Sequence, residues 1–269
     1  MKRELTFAIL GDSAATGVGD YDELGRTRGW CVHLAQAFQE PLTIVPVARS
    51  GAQSREVLDV QLPKVLAFKP DIAALVVGGN DALRNGFSPQ HLYENLKETI
   101  SALKSQGAEI LMLQLHDPTR IVPLPRLLAR VLTRRIEAVN KVYDRLASEF
   151  EIIFLKTRSL PGIYDRKLWH FDRMHPSGYG HRTLAINFRN LLVQSGWRID
   201  DICASLPENF SRRESALWML KNGLPWFFKR SFDLLPAALI LMAIEAIRIV
   251  LARASHLLLF LSRQTTMRK

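Results

Sequence analysis

Ser13 closes an apolar run, TFAILGDS, and small residues and glycines follow it. A buried strand that stops there delivers the serine hydroxyl to the carboxyl edge of a sheet, where open α/β sheets bind their ligands. A serine attacks a carbonyl when a base takes its proton and a third group holds that base. Seven histidines are available, and His175 has the most telling setting. In WHFDRMHPSGYGHRTLA, residues 169–185, Asp172 precedes it by three positions and Pro176-Ser177-Gly178 open an amphipathic stretch. An Asp and a His so spaced on one loop can meet side to side. The carboxylate then fixes the imidazole tautomer while the other ring nitrogen faces the serine. A tetrahedral oxyanion also needs donors. The N–H groups of Ser13 and of Gly51 (in ARSGAQS, residues 48–54), with the side-chain amide of Asn80 (in VVGGNDAL, residues 76–83), would supply three. Each piece has a plainer reading when taken singly. Ser13 fits a helix N-cap, Asp172 and His175 fit a local contact at a helix start, and the glycines and Asn80 fit ordinary turns.

These residues need elements that carry them to one place. Strand-length apolar runs occur at Leu5–Leu10, Leu42–Ala48, Ile72–Val77, Glu109–Leu115 and Glu151–Leu155. Most are near-continuous Val/Ile/Leu/Ala, as buried parallel strands are. Helical periodicity fills the gaps at Trp30–Phe38, Ser54–Phe68, Pro89–Ser105, Leu124–Phe150 and Gly178–Ser195. The alternation predicts an α/β fold: a flavodoxin-like, doubly wound, five-stranded parallel sheet between two helical layers. Ser13, Gly51, Asn80 and His175 then follow the first, second, third and fifth strands, all at one sheet edge. Trp30 is expected in the core at the start of the first helix, and His181 on a helix surface. Asp12 is expected to support its turn, and Asp81 to support Asn80.

Other chemistries find no foothold. No G-x-x-x-x-G-K-S/T loop occurs, GVGDYD breaks the dinucleotide fingerprint at its third glycine, and H-E-x-x-H is absent. His170, His175 and His181 lack the spacing of a helical metal pair, so neither metal nor cofactor is expected. Cys31 and Cys203 form no CxxC pair and read as packed thiols of a reducing compartment. Only six apolar or small residues separate Glu4 from Gly11-Asp12, too few for a signal-peptide core, so a cytoplasmic protein is expected.

The blocks Gly11-Asp12-Ser13, Gly51, Gly78-Gly79-Asn80-Asp81 and Asp172-Arg173-Met174-His175 resemble, in order and spacing, those of the SGNH (GDSL) hydrolase family. The likeness runs from residue 5 to about 195, with Ala14 where the family's name has leucine. The resemblance implies Ser13 as nucleophile, His175 as base, Asp172 as its partner, and Ser13, Gly51 and Asn80 as the oxyanion hole. It also implies ester hydrolysis, in a family that spans lipases, lysophospholipases, thioesterases, aryl esterases and carbohydrate deacetylases.

Two segments bear on the substrate. LHDPTRIVPLPRLLARVL, residues 115–132, leaves the fourth strand at the same edge, and its apolar residues could line an acyl pocket. The chain is expected to divide into a catalytic domain, 1–200, and a helical tail, 201–269. The net charge is +10, and from Ser205 to Lys269 ten Lys/Arg stand against four Asp/Glu. In Leu234–Leu261 the apolar run is broken by Glu245, Arg248, Arg253, Ser255 and His256, following Trp226, Phe227, Phe228, Lys229 and Arg230. Charges interrupt the run before it is long enough to cross a bilayer. A helix with a narrow polar stripe and a basic, aromatic lead fits a membrane interface. The sequence thus predicts a serine esterase of lipid-like esters, in peripheral contact with the inner membrane face through residues 218–261 and not with nucleic acid. Three alternatives stay open: an acyl-CoA thioesterase or small-acyl esterase whose tail serves oligomerisation, a tail docked on its own domain, and an inactive membrane-docking module.

Overall fold

A computed structural model describes residues 4–122, 124–204, 220, 239–240 and 242–251. The five apolar runs form β1 (Leu5–Gly11), β2 (Leu42–Pro46), β3 (Ile72–Val76), β4 (Glu109–Leu113) and β5 (Ile153–Leu155), all parallel, in the order β2-β1-β3-β4-β5. This is the predicted doubly wound order. Central β3 is buried along its whole length, as its unbroken apolar sequence requires.

Three strands are two residues shorter than their apolar runs, and β3 is one residue shorter. Regular pairing of β2 ends at Pro46, beyond which Val47 N–H (3.0 Å) and Ala48 N–H (2.9 Å) both bond Ile9 O. After β4, Leu115 N–H leaves the sheet for Asn140 Oδ1 at 2.8 Å. β5 pairs through only three residues at the sheet edge.

Helices are α1 (Ser13–Thr16), α2 (Gly29–Gln36), α3 (Ser54–Glu56), α4 (Leu62–Leu66), α5 (Gly79–Leu83), α6 (Pro89–Ser105), α7 (Arg126–Glu149) and α8 (Gly178–Gln194). The helix expected over 54–68 is interrupted by a π turn, Val57–Gln61. That turn carries Gln61, a buried polar residue whose amide bonds both Gly11 N–H (2.7 Å) and Gly11 O (3.0 Å).

Alternate strand residues feed two cores. Ala8, Leu10, Ala73 and Leu75 pack under α4, α6 and α7. Phe7, Ile9, Ile72 and Ala74 pack under α2 and α8, where Trp30 is fully buried and stacks on Phe188 at 4.4 Å. His181 is also fully buried, contrary to the expectation of a helix-surface residue. Its Nδ1 accepts from Trp30 N–H (3.2 Å) and its Nε2–H donates to Val18 O (3.0 Å), so α8 is pinned to the layer containing Ser13. Cys31 and Cys203 are both free thiols; Cys31 is buried as expected, whereas Cys203 is exposed, contrary to the expectation of a packed thiol.

Most of the tail lies outside the described residues, including much of the stretch 218–261 expected at a membrane. Residues 239–240 and 242–251 are helical. Glu245 faces inward and makes a two-pronged ion pair with Arg134 of α7, at 3.0 and 2.8 Å. Ile240, Ile244, Ile247 and Leu251, one helical stripe, face outward and are exposed. Among the described residues no helix is long and apolar enough to cross a membrane.

Candidate active site

The β1–α1 junction is built to present Ser13. Gly11 has φ +127°, and a Cβ there would lie 1.9 Å from Val76 O, so only glycine lets β1 run this close to β3 at the turn. Asp12 N–H bonds Val76 O at 2.9 Å, and Asp12 Oδ1 caps α1 through Ala14 N–H at 3.0 Å. Ser13 is thereby the first residue of α1, at the carboxyl end of a central strand.

On the far side of the edge, the loop before α8 folds back on itself. Asp172 Oδ1 accepts from Met174 N–H (2.9 Å) and His175 N–H (3.0 Å), a tight turn in which Arg173 takes φ +57°. Ser177 caps α8 through Gly180 N–H at 3.1 Å. The imidazole of His175 is thus held between two side chains. Its Nδ1 is 2.7 Å from Asp172 Oδ2 and its Nε2 is 2.7 Å from Ser13 Oγ.

Burial works against ionisation of Asp172. His170, with Nδ1 3.6 Å from Oδ2, and His175 outweigh it and hold the carboxyl well below the usual carboxylate range. An ionised carboxylate only accepts, so Nδ1 of His175 carries the proton and Nε2 accepts from the Ser13 hydroxyl. Such a chain can take a serine proton onto imidazole and stabilise the resulting imidazolium.

Asn80, on α5 after β3, turns its amide toward the same place. Its Nδ2 donates to Asp12 Oδ2 and to Ala52 O, both at 3.2 Å. Gly51 (φ +86°) turns the chain after β2, and the Asn80–Ala52 bond ties that turn to Asn80. Ser13, Asn80 and His175 line one cavity; Gly51 stands beside it rather than on its wall. Asp81 reaches Ser54 instead of Asn80, with Ser54 Oγ donating to it at 2.6 Å, and so clamps the turn after β2 to α5.

Two features were invisible in the sequence. Burial, reinforced by the charge of Asp81, raises the Asp12 pKa to about 6, although Ala14, His175 and Asn80 favour its anion. Asp12 therefore orients Asn80 as well as capping α1. His116, just beyond β4, packs against Trp169 at 3.9 Å, and burial and the nearby His175 press its pKa down to about 3. Its only sequence signal is its place after a strand at this edge.

The cavity has a volume of about 320 Å³. Its wall is mostly apolar, and Leu115, Val122, Leu124, Leu128 and Leu132 from the segment after β4 contribute to it. Among the described residues no cluster of His, Cys, Asp or Glu is arranged to hold a metal.

The GDSL-like lipase/acylhydrolase family matches residues 9–183, from β1 into α8. The chain belongs to that family. It is 30% identical to thioesterase 1/protease 1/lysophospholipase L1 of Escherichia coli over 174 residues, which is 64% of this chain and 76% of that protein. It is also 30% identical to esterase TesA of Pseudomonas aeruginosa over 148 residues, covering 54% of this chain and 66% of the other. A crystal structure of TesA superposes with a TM-score of 0.55 at 26% identity, covering 70% of this chain and 97% of that one. A lipase/acylhydrolase from Enterococcus faecalis shares the fold at a TM-score of 0.55 and 20% identity, covering 77% of this chain and all of the other. Family membership and these relatives make the chain a hydrolase acting on ester bonds.

Proposed function

We propose that this GDSL-family chain is a serine hydrolase that forms an acyl-enzyme on Ser13 and acts on lipid-like esters. The observation that carries the reading is the pair of 2.7 Å contacts from Ser13 Oγ through His175 to Asp172, opening on an apolar cavity. Ser13 Oγ attacks the ester carbonyl while His175 Nε2 takes its proton. Asp172 holds the imidazolium. The Ser13 and Gly51 N–H groups and Asn80 Nδ2 receive the oxyanion, and each such donor is worth roughly 3–4 kcal/mol in the transition state. His175 then protonates the departing alcohol. Water, activated by the same histidine, releases the acid.

The apolar cavity favours an alkyl chain over an acetyl group. The exposed stripe Ile240, Ile244, Ile247 and Leu251 favours peripheral contact with a lipid surface, at the inner membrane face. A thioester would give the same acyl-enzyme, and the E. coli relative carries thioesterase in its name, so acyl thioesters are the second reading. The test is hydrolysis of p-nitrophenyl acetate, butyrate and decanoate by wild type and Ser13→Ala. Wild type should prefer decanoate, and Ser13→Ala should be inactive. Full activity in Ser13→Ala would overturn the assignment, and a preference for acetate would overturn the lipid-like substrate.

A further inference from the structure

One cation on the cavity wall has no carboxylate partner among the described residues. Arg135 of α7 lines the cavity that holds Ser13 and His175. One of its terminal nitrogens, Nη1, donates to the carbonyls of Ala82 (2.8 Å) and Arg84 (2.7 Å) at the end of α5. Those two bonds fix the guanidinium plane, and among the described residues its remaining donors have no acceptor. Arg134 precedes it on α7 and is engaged by Glu245. Arg248, one turn beyond Glu245, is exposed and close enough to act on both Glu245 and Arg135. Burial together with the charges of Arg134 and Arg248 lowers the pKa of Arg135. Arg130 also acts on Glu245, so three arginines, Arg130, Arg134 and Arg248, share that one glutamate. A guanidinium with a fixed plane and spare donors suits a phosphate oxygen pair.

We infer that Arg135 and Arg248, ordered by the Arg134–Glu245 pair, form a phosphate subsite beside the acyl cavity, and that the favoured substrates carry a phosphate on the leaving group. The inference rests on the acyl-hydrolase reading above. Two leaving groups have that chemistry: the glycerophosphate of a lysophospholipid and the phosphates of coenzyme A. The subsite depends on the helix bearing Glu245 and Arg248, which lies beyond the stretch matched by the family.

The experiment compares kcat/KM of the full chain on two matched pairs below their aggregation limits. One pair is 1-decanoyl-lysophosphatidylglycerol against 1-decanoylglycerol. The other is decanoyl-CoA against S-decanoyl-N-acetylcysteamine. Wild type should favour the phosphate-bearing member of at least one pair by about tenfold or more, the scale of a charge-assisted hydrogen bond. Arg135→Gln and Arg248→Glu should each reduce that ratio by about tenfold, and Arg135→Lys should reduce it less. Arg248→Glu guards against a folding defect in Arg135→Gln, because Arg248 is an exposed residue. A fall confined to the lysolipid pair names the headgroup as the source, and one confined to the thioester pair names coenzyme A. Ratios near one in wild type, or ratios unmoved by both substitutions, overturn the subsite. Loss of turnover on the phosphate-free esters in Ser13→Ala, measured alongside, keeps the hydrolase reading separate from that outcome.

Discussion

Asp12 carries two duties whose requirements conflict. As a cap it needs only a side-chain oxygen, which asparagine also provides. As the acceptor for Asn80 Nδ2 it is best ionised, yet it is buried, and its pKa rises from 3.8 to about 6. A carboxyl whose folded pKa exceeds its unfolded value binds its proton more tightly when folded. The stability contributed by Asp12 is therefore fullest below about pH 4, falls as pH rises to about 6, and stays lower above that. The loss is on the order of 3 kcal/mol. Asp12→Asn should raise the melting temperature relative to wild type at pH 8, and the gap should close toward pH 4. It should also lower kcat, because Asn80 loses its acceptor. Thermal melts at the two pH values, with an esterase assay, check both. Asp172→Asn is different. There the carboxylate sets the imidazole tautomer, and its loss should lower kcat by about 10³–10⁴-fold with little change in KM, as measured on p-nitrophenyl decanoate. Ser13, His175 and Asp172 could be picked from the sequence because each sits beside a strand end or helix start with local signals of its own. The duties of Asp12, and the reach of Asp81 to Ser54, depend on partners far away in the chain. No local pattern encodes them.

The same contrast holds among the elements. Strand existence and order were legible, because continuous Val/Ile/Leu runs separated by helical periodicity leave few topologies open. The π turn at Val57–Gln61 was not, since its cause lies across the molecule. Gln61 bonds the backbone of Gly11, and a polar side chain at one position of a helix does not show in the apolar period. His181 escaped for a similar reason, because a histidine reads as polar until both ring nitrogens find buried partners. His181→Leu keeps the volume and removes two bonds to Trp30 N–H and Val18 O. It should cost about 2–4 kcal/mol in urea unfolding. In wild type, burial outweighs the bond to Val18 O and lowers the His181 pKa from 6.5 to about 4. The folded chain thus resists protonation, and stability drops as pH falls from about 6.5 to 4. His181→Leu should lack that part of the acid loss. The most demanding joint is β1 to β3. Gly11→Ala would thrust a methyl group into Val76 O, and both atoms belong to sheet backbone that cannot swing aside. Little soluble protein is expected, and expression with far-UV circular dichroism tests it.

At the scale of the whole molecule, the outward face of the tail helix runs against the habit of a surface helix. A helix packed on a domain turns its apolar stripe inward and its polar stripe to water. Here Glu245 points in, to Arg134, while Ile244, Ile247 and Leu251 point out at 43%, 58% and 61% exposure. The Glu245–Arg134 pair ties the helix to α7 while those three apolar side chains stay exposed. The sequence could show a narrow polar stripe; which side of the helix met the domain required the position of α7. If the outward stripe enters a bilayer, each isoleucine adds roughly 1.5–3 kcal/mol of burial. Replacing one by glutamate also brings repulsion from anionic headgroups. Ile244→Glu combined with Ile247→Glu should therefore abolish flotation of the full chain with vesicles containing phosphatidylglycerol. Glu245→Gln weakens only the clamp to α7 and should leave most of the flotation intact. Turnover of a short, water-soluble p-nitrophenyl ester should survive the isoleucine pair, since neither residue lines the cavity. Equal flotation of wild type and the isoleucine pair would remove the outward face from membrane contact and leave a partner protein as its cover.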